Sequence, residues 1–242
     1  MLEKVDLTRA ISKEEYKSRL PTLQERLYEL QLATSETGLA SVIVFEGSDA
    51  AGKGACINVL TSRLEPRAFR LHVIGEPRAQ ELHMPWLYRF WQHVPNYGQM
   101  ALFDRSWYRR VLEERVEKIT PCSECEKAYS DITDFERTLA DDGYALVKLF
   151  LHIGKKEQKR RFRKLESDPL TSWQVQPEDW DRHRKYGKYL AAAEEMLKRT
   201  ESEWGPWTIV EATDRYWTRI AVFEAIIRTL EIAAARRKAV KA

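Results

Sequence analysis

The sequence predicts an α/β protein with a five-stranded parallel sheet, helices on both faces and a helical lid. Short apolar segments alternate with helical segments along its 242 residues, a pattern typical of parallel strands covered on both faces. A glycine-rich loop follows the first apolar segment, and a strongly basic helix follows a later one. We interpret the chain as one P-loop kinase domain, 1–242, with a helical N-terminal extension, 1–38, and a lid region, 155–200.

The extension is predicted to be helical because Ser12 and Glu15 form a capping-box pattern before a leucine stripe. This helix should run to about residue 33, with Pro21 as a bend or boundary. Apolar runs predict strands at 41–45, 69–74, 100–103, 145–153 and 207–210. Helices are predicted at 52–64, 81–94, 123–139, 155–165, 177–200 and 214–235. Pro85 is unfavourable inside the second of these, and the alternative is that it marks the true start of that helix.

The composition argues for an intracellular protein that does not enter a membrane. No apolar run approaches the roughly 20 residues of a membrane span. The N-terminus lacks the apolar core of a secretion signal, and three cysteines are too few for a disulfide scaffold. The net charge of +3 says little about partners. We therefore expect a cytoplasmic location.

The loop after the first strand has the spacing of a phosphate-binding (Walker A) loop, since Gly47 and Gly52 bracket it and Lys53 follows. Such a loop points backbone N–H groups at one anion beside the positive end of a helix. Gly54 stands where a Ser or Thr hydroxyl usually helps to hold Mg²⁺. Asp49 is the candidate replacement ligand, because Mg²⁺ prefers carboxylate oxygens. The alternative is an ordinary polar turn.

A second acidic position follows the third strand. Asp104 would lie at the strand's carboxyl end, beside the phosphate loop, where it can hold Mg²⁺ or orient the attacking oxygen. Arg105 can neutralise phosphate charge, and Arg109 and Arg110 extend the positive surface unless they simply face solvent. The alternative for Asp104 is a helix N-cap.

The helix predicted at 155–165 is densely basic, with seven cationic residues among positions 155–164. Three interpretations stay open: a solvated helix face, a nucleic-acid contact, or a kinase lid that closes arginines over the transferred group. Phe162 suggests that one face packs, which would give Arg161 and Arg163 different orientations. The position after a core strand favours the lid.

The chain resembles the polyphosphate kinase type 2 family. The resemblance covers nearly everything from the first strand to the last helix, and it rests on four blocks in matching order. These are Phe45–Gly54, Phe103–Tyr108, Gln158–Phe162, and Asp168-Pro169-Leu170 with Trp173. It implies a thymidylate-kinase-like fold and Mg²⁺-dependent phosphoryl transfer between inorganic polyphosphate and a nucleotide. Family members are usually dimers or tetramers, so the resemblance also implies a homo-oligomer.

By this resemblance, Asp49 and Asp104 bind the metal, Lys53 and Arg105 contact the phosphates, and Arg161 is the lid arginine. The groups expected to bind phosphate or nucleotide are Gly47, Ala50, Ala51, Gly52, Gly54, Arg109, Arg110 and Arg160. The segments 111–116 and 206–211 resemble the members that convert AMP to ADP, although conversion of ADP to ATP stays open.

Two other functions compete with this interpretation. One is an ATP-dependent nucleotide kinase of the same fold, which would differ in its phosphoryl donor. The other is a non-catalytic nucleic-acid-binding P-loop protein that uses the basic helix. We do not expect nucleic acid as a partner, because the aromatic–basic interleaving of single-strand channels is not seen.

Overall fold

A computed structural model describes the backbone of residues 2–241 and the side chains of residues 2–237. Five strands form one sheet in the order β2-β3-β1-β4-β5, and every neighbouring pair is parallel. The strands are β1 (Ser41–Gly47), β2 (Phe69–Val73), β3 (Met100–Asp104), β4 (Ala145–His152) and β5 (Trp207–Glu211). The predicted α/β class and five-stranded parallel sheet are therefore confirmed.

Helices occupy the segments between the strands and both ends of the described chain. They are α1 (Lys13–Thr37), α2 (Lys53–Thr61), α3 (Tyr88–Trp91), α4 (Glu113–Val116), α5 (Cys122–Asp141), α6 (Lys155–Glu166), α7 (Pro177–Arg184), α8 (Tyr186–Arg199) and α9 (Arg215–Lys241). Short 3₁₀ turns lie at Leu2–Lys4, Glu81–His83, Trp107–Arg110 and Ser172–Gln174. None of the helices described combines the length and apolarity needed to cross a bilayer.

The sheet is covered on both faces because side chains alternate along each strand. On one face, Ile43 and Phe45 of β1 belong to a buried cluster with residues of α1, α2 and α9. On the other face, Val42 and Val44 belong to a second cluster with residues of α5 and α8. The result is a three-layer arrangement with β1 at its centre.

The strand order places a crevice at the carboxyl ends of β1 and β3. The chain moves from β1 to β2 and β3 on one side, then crosses to β4 and β5 on the other. In such sheets ligands bind at the point where the order reverses. The register pairs Phe45 with Asp104, so the end of β3 is level with the start of the loop after β1.

The prediction of one continuous helix at 81–94 is wrong. Only the 3₁₀ turn at Glu81–His83 and the short α3 are helical there. Met84 between them is extended (φ −117°, ψ 159°), because the ring of the following Pro85 disfavours helical geometry in the preceding residue.

Two further boundaries differ from the prediction. The helix expected at 177–200 is interrupted at Lys185, which ends α7 and precedes α8; Gly187, a poor helix former, lies just beyond it. In α1, Pro21 is not a boundary, because the helix continues through it to Thr37. The predicted cap holds, as the Ser12 side chain accepts a hydrogen bond from the Glu15 N–H.

A buried polar cluster holds the chain just after β3. The Glu136 carboxylate of α5 accepts hydrogen bonds from Trp107 Nε1 (3.0 Å) and the Tyr108 hydroxyl (2.5 Å) at one oxygen, and from Lys148 Nζ (2.9 Å) at the other. The Lys148 ammonium also donates to the Thr200 carbonyl at 2.7 Å. The cluster thereby connects the turn after β3 to the core and to the chain just after α8.

Candidate active site

The loop between β1 and α2 takes its shape from positive φ angles at Gly47 (132°), Ala50 (58°) and Gly52 (99°). A Cβ atom at Gly47 would lie only 2.1 Å from the Leu151 carbonyl oxygen, so glycine is required there. Ala50 carries a Cβ atom, and left-handed geometry at a non-glycine residue costs on the order of 1 kcal/mol. The loop is thus held in a conformation that the chain would not adopt unaided.

Lys53 lies inside this loop rather than in solvent. Its buried side chain donates from Nζ to the carbonyl oxygens of Gly47 (2.8 Å) and Ser48 (3.2 Å). The ammonium is therefore fixed at the loop's centre, as expected of the lysine in a phosphate-binding loop.

The Asp49 carboxylate receives two guanidinium groups from different parts of the chain. Arg105 Nη2 donates to Oδ1 and Arg182 Nε donates to Oδ2, each at 2.8 Å. Burial alone would raise the pKa of Asp49, but the positive charges of Lys53, Arg105 and Arg182 outweigh it and lower the pKa. Asp49 is therefore an anion at neutral pH.

Asp104 ends β3 on the other side of the loop. Its Oδ2 lies 4.0 Å from the place where a Cβ of Gly54 would be, so the two positions are adjacent. Among the described residues, its side chain has no hydrogen-bond or ion-pair partner. The structure thus brings Asp49, Lys53 and Asp104 together at one edge of the sheet, with one carboxylate paired and the other open.

Arg105 is held in a left-handed conformation (φ 62°) directly after β3. Besides Asp49, it pairs through Nε with Glu113 Oε1 at 3.2 Å. Burial would lower the pKa of Arg105, but Glu113 and Asp49 raise it. Arg109 and Arg110, which follow in the next turn, are not solvent-facing, because their side chains are 10% and 20% exposed.

Glu46 is a third carboxylate at this edge. It is 3% exposed and accepts a hydrogen bond from Ser106 Oγ at 2.8 Å. Burial raises its pKa to about 7, although the Ser106 bond and the charge of Lys53 oppose the shift. Glu46 and Asp49 therefore differ in charge near neutral pH even though they lie three residues apart.

The predicted lid segment contacts the loop through three side chains. Arg161 donates to the carbonyl oxygens of Ala50 (2.8 Å) and Ala212 (2.6 Å), and Gln158 Nε2 donates to the Asp49 carbonyl at 3.2 Å. Arg182 of α7 reaches the Asp49 carboxylate, as described above. All three anchor the segment to the loop.

Other side chains of α6 lie on two faces of the helix, one exposed and one packed. Arg160 pairs with Glu157 and is 63% exposed, so it lies away from the loop. Phe162 is buried, 2% exposed, and packs against Trp180 and His183, which confirms the predicted packed face.

The sequence prediction missed Arg182, Glu113 and Glu46. Arg182 lies in a mixed-charge run of α7, where no spacing distinguishes it from Arg184. Glu46 stands in the strand-end motif itself, but its burial depends on how the turn after β3 folds over it. Only the three-dimensional structure supplies that information.

The oxygen ligands present are suited to Mg²⁺. Among the described side chains, no group of three or more His, Cys, Asp and Glu residues is arranged to hold a metal ion. Mg²⁺ in phosphoryl-transfer sites usually takes one or two protein carboxylates and completes its shell with phosphate oxygens and water. Asp104, with open carboxylate oxygens, and Asp49, whose oxygens now face guanidinium groups, fit that pattern.

Comparison with known proteins gives several matches over nearly the whole chain. A polyphosphate:AMP phosphotransferase from Pseudomonas syringae pv. tomato is 39% identical over 238 residues, which are 98% of this chain and 48% of that protein. An ADP-polyphosphate phosphotransferase 3 from Rhizobium meliloti is 37% identical, over 89% of this chain and 76% of its own length. The chain thus spans about half the length of the Pseudomonas relative and more of the Rhizobium one.

Solved structures agree with the sequence matches. A polyphosphate kinase 2 structure from Pseudomonas aeruginosa PA01 superposes with a TM-score of 0.94 at 38% identity, over 97% of this chain and 50% of that one. Polyphosphate kinase 2 from Arthrobacter aurescens TC1 gives 0.91 at 28% identity, over 100% and 93%. The family model for polyphosphate kinase 2 (PPK2) matches residues 10–238. The chain therefore belongs to the polyphosphate kinase 2 family.

Proposed function

We propose that this chain transfers the terminal phosphoryl group of inorganic polyphosphate to a nucleotide, with AMP as the preferred acceptor and Mg²⁺ as the cofactor. The observation that carries the proposal is the convergence of Asp49, Lys53, Asp104 and Arg105 at the carboxyl edge of the sheet. AMP is favoured because the Pseudomonas relative is named a polyphosphate:AMP phosphotransferase. ADP is a second acceptor to test, because the Rhizobium relative is named for ADP.

The reaction needs positioning and charge neutralisation more than acid–base chemistry. A phosphate oxygen of AMP, already anionic at neutral pH, attacks the terminal phosphorus of polyphosphate. The anhydride bond to the next phosphate breaks as the new P–O bond forms, which yields ADP and a polyphosphate one unit shorter. No proton has to be removed from the attacking oxygen, so we assign no general base.

Each residue at the loop has a role in this scheme. The loop N–H groups and Lys53 hold the terminal phosphoryl group, and Arg105 offsets charge on the phosphates. Asp49 and Asp104 would hold Mg²⁺, which when bound neutralises charge and aligns donor with acceptor. Each Asp49 oxygen accepts one guanidinium hydrogen bond and keeps a further lone pair, so the carboxylate could hold the metal with its arginine partners in place or in exchange for one of them.

The segment 155–200 acts as the lid in this proposal. Arg161 is a positioning residue, because it pairs with Glu157 and otherwise donates to backbone carbonyls of the loop and of residues 212 and 213. Arg182 is the lid group that meets Asp49 and can instead meet phosphate when the metal is bound. Cytoplasmic location and assembly as a homodimer or homotetramer stay predictions.

Donor and acceptor choice test the proposal. Purified protein would be given Mg²⁺ and AMP or ADP, with either polyphosphate or ATP as donor, and nucleotide products would be separated by chromatography. We expect ADP from AMP and polyphosphate, at a rate that exceeds the rate with ATP as donor. Faster transfer from ATP would indicate an ATP-dependent nucleotide kinase. An absence of transfer, with salt-dependent binding of DNA or RNA, would favour a nucleic-acid-binding protein.

A further inference from the structure

Two glutamates at opposite ends of the short helix α4 contact different parts of the molecule. Glu113, its first residue, pairs with Arg105 (3.2 Å) and Arg109 (3.4 Å) of the turn after β3. Glu117, which follows the last residue of α4, contacts the lid region instead. Residues four positions apart lie on one side of a helix, so α4 connects the arginines of the site with the lid.

Glu117 binds two side chains of the lid region, 155–200. Its Oε2 atom pairs with the Lys185 ammonium, and its Oε1 atom accepts a hydrogen bond from the Tyr189 hydroxyl at 2.8 Å. Among the residues that the structure describes, Glu117 is the only partner of the Lys185 ammonium. Burial would raise the pKa of Glu117, but the hydrogen bonds from Lys185 and Tyr189 outweigh it and lower the pKa. Glu117 is therefore an anion at neutral pH, and both of its oxygens contact the lid.

These two lid residues lie close to the cavity at Asp49. Lys185 separates α7 from α8 and comes three residues after Arg182, whose guanidinium group donates to the Asp49 carboxylate at 2.8 Å. Tyr189 lies one helical turn after Lys185 and lines the same cavity as Asp49 and Arg182. A shift of Lys185 and Tyr189 away from Glu117 would therefore move Arg182 as well, because α7 and α8 are joined directly at Lys185.

The turn that carries Glu117 is held in place, whereas its ion pair with the lid is open to solvent. Lys118, the next residue, has a left-handed backbone (φ 57°), which non-glycine residues keep only where surrounding contacts fix it. The Thr120 hydroxyl supplies one such contact, because it donates to the Glu114 carboxylate at 2.8 Å. The side chains of Lys185 and Glu117 are 39% and 26% exposed. A partly exposed ion pair contributes little to global stability, so this pair can open without unfolding the protein.

We propose that Glu117 is a positioning residue that latches the lid through Lys185 and Tyr189 and thereby places Arg182 at the phosphate-binding loop. This role rests on the proposed function and adds to it a residue outside the loop and outside the basic helix. With the latch closed, the lid covers the loop. With the latch open, Arg182 moves away from Asp49, and polyphosphate, whose terminal group lies on that loop, can enter or leave.

Steady-state kinetics of Glu117→Ala test the latch. A ligand that binds the covered state binds more weakly when that state is less populated. We expect the KM for polyphosphate to rise by about fivefold, as for loss of an ion pair and a hydrogen bond at a partly exposed site. The kcat should change by less than about twofold, because saturating polyphosphate restores the covered state. A larger change in kcat than in KM, or no change in either, overturns the proposal.

A double variant shows whether Glu117 acts through Arg182. If it does, Glu117→Ala has little left to disturb once Arg182 is gone, so the two effects are not additive. In the Arg182→Gln background we expect Glu117→Ala to raise the KM for polyphosphate by less than about twofold. An equal rise in the wild-type and Arg182→Gln backgrounds overturns the proposal.

Three further variants sharpen the comparison. Lys185→Met and Tyr189→Phe each remove one of the two contacts, so each should raise the KM for polyphosphate by about twofold. If Glu117→Ala does not fold, Lys185→Met decides alone, and an unchanged KM overturns the proposal. Glu126→Ala is the matched control, because it breaks the pair with Arg199 that joins the other end of α8 to α5 at similar exposure. It should leave kcat and KM unchanged, and a rise as large as that of Glu117→Ala overturns the proposal.

Hydrogen–deuterium exchange separates failure of the latch from failure of the proposed function. Exchange would be followed by mass spectrometry in wild type and Glu117→Ala without substrate. We expect faster exchange in peptides from 177–199 and unchanged exchange in α5, because only contacts of the lid are lost. Faster exchange in 177–199 supports the latch even if the wild-type protein transfers no phosphoryl group. Equal exchange in both proteins overturns the latch while leaving transfer at the loop intact.

Discussion

Two paired carboxylates on this molecule have similar chemistry and different surroundings. Asp49, in the loop after β1, is neutralised by Arg105 and Arg182, which come from a loop and from α7. Glu136, in α5, is neutralised by Lys148 of β4 and hydrogen-bonded by Trp107 and Tyr108. Glu136 and Lys148 are each 1% exposed, whereas Arg105 and Arg182 are 30% and 23% exposed.

The difference lies in whether the partners can be exchanged. The Glu136 cluster is enclosed by core elements, so its charges can meet only one another. The Asp49 pairs border a cavity, so a metal ion or a phosphate can replace one partner without exposing a bare charge to the core. We infer that the first arrangement fixes the turn after β3, whereas the second leaves Asp49 accessible for the chemistry proposed above.

Asp49→Asn should give the largest loss of activity. The substitution keeps the side chain's shape but removes the charge that would hold Mg²⁺, so we expect the rate of ADP formation to fall by at least about 100-fold. Circular dichroism should show a native fold. Asp134→Asn is the matched control, since Asp134 is exposed on α5, and it should keep the wild-type rate. A rate above one tenth of wild type in Asp49→Asn would remove Asp49 from the chemistry.

Glu136→Gln should instead act on stability. The amide can still accept from Trp107 and Tyr108, but it leaves the Lys148 ammonium buried without a counter-charge. We expect the free energy of unfolding to fall by about 3 kcal/mol. Urea denaturation measures this change, and Glu126→Gln on the exposed face of α5 is the control. An unchanged unfolding midpoint would mean that the cluster contributes little to the fold.

Arg182→Gln removes one of the two arginine partners of Asp49 and should have an intermediate effect on the rate of transfer. Asp49 keeps Arg105, so the fold should be nearly unchanged, whereas transfer should slow by about tenfold because one cation that can offset phosphate charge is lost. Arg184→Gln, two residues away with a 69% exposed side chain, is the control. Wild-type rates in both variants would show that Arg182 serves only to cover Asp49.

Glu46→Gln should change stability by an amount that depends on pH. The folded-state pKa of Glu46, about 7, lies above its ordinary value of 4.5, so the folded protein binds the proton more tightly. This contribution is fully present below the ordinary pKa and is lost as pH rises through about 7. The variant lacks that loss, so its free energy of unfolding relative to wild type should increase by at most about 3 kcal/mol between about pH 5 and pH 8.5, and its Tm relative to wild type should rise accordingly. A constant Tm difference would contradict the buried, protonated state.

Much of the fold could be predicted because its signals are local. Alternating strands and helices, the loop spacing and the Ser12 cap all depend on neighbours in sequence. At 81–94 the signal for the interruption, Pro85, is in the sequence, whereas at 177–200 Gly187 alone does not place the break at Lys185.

Only the part of the site that lies at the ends of β1 and β3 was predictable from the sequence. Asp49, Lys53, Asp104 and Arg105 lie in strand-end motifs whose meeting follows from a parallel sheet. Arg182 was not predictable, because its partner Asp49 is 133 residues away and the contact depends on how α7 packs. Burial also turned Arg109 from a surface cation into a buried donor without a hydrogen bond.

One measurement tests the contrast between the two carboxylates most directly. It is the Mg²⁺ dependence of ADP formation from AMP and polyphosphate, measured side by side for wild type, Asp49→Asn and Glu136→Gln. At a temperature where all three are folded, we expect Glu136→Gln to saturate at the same Mg²⁺ concentration as wild type. Asp49→Asn should stay near background at every concentration. A wild-type Mg²⁺ curve for Asp49→Asn, or a shifted curve for Glu136→Gln alone, would contradict the account.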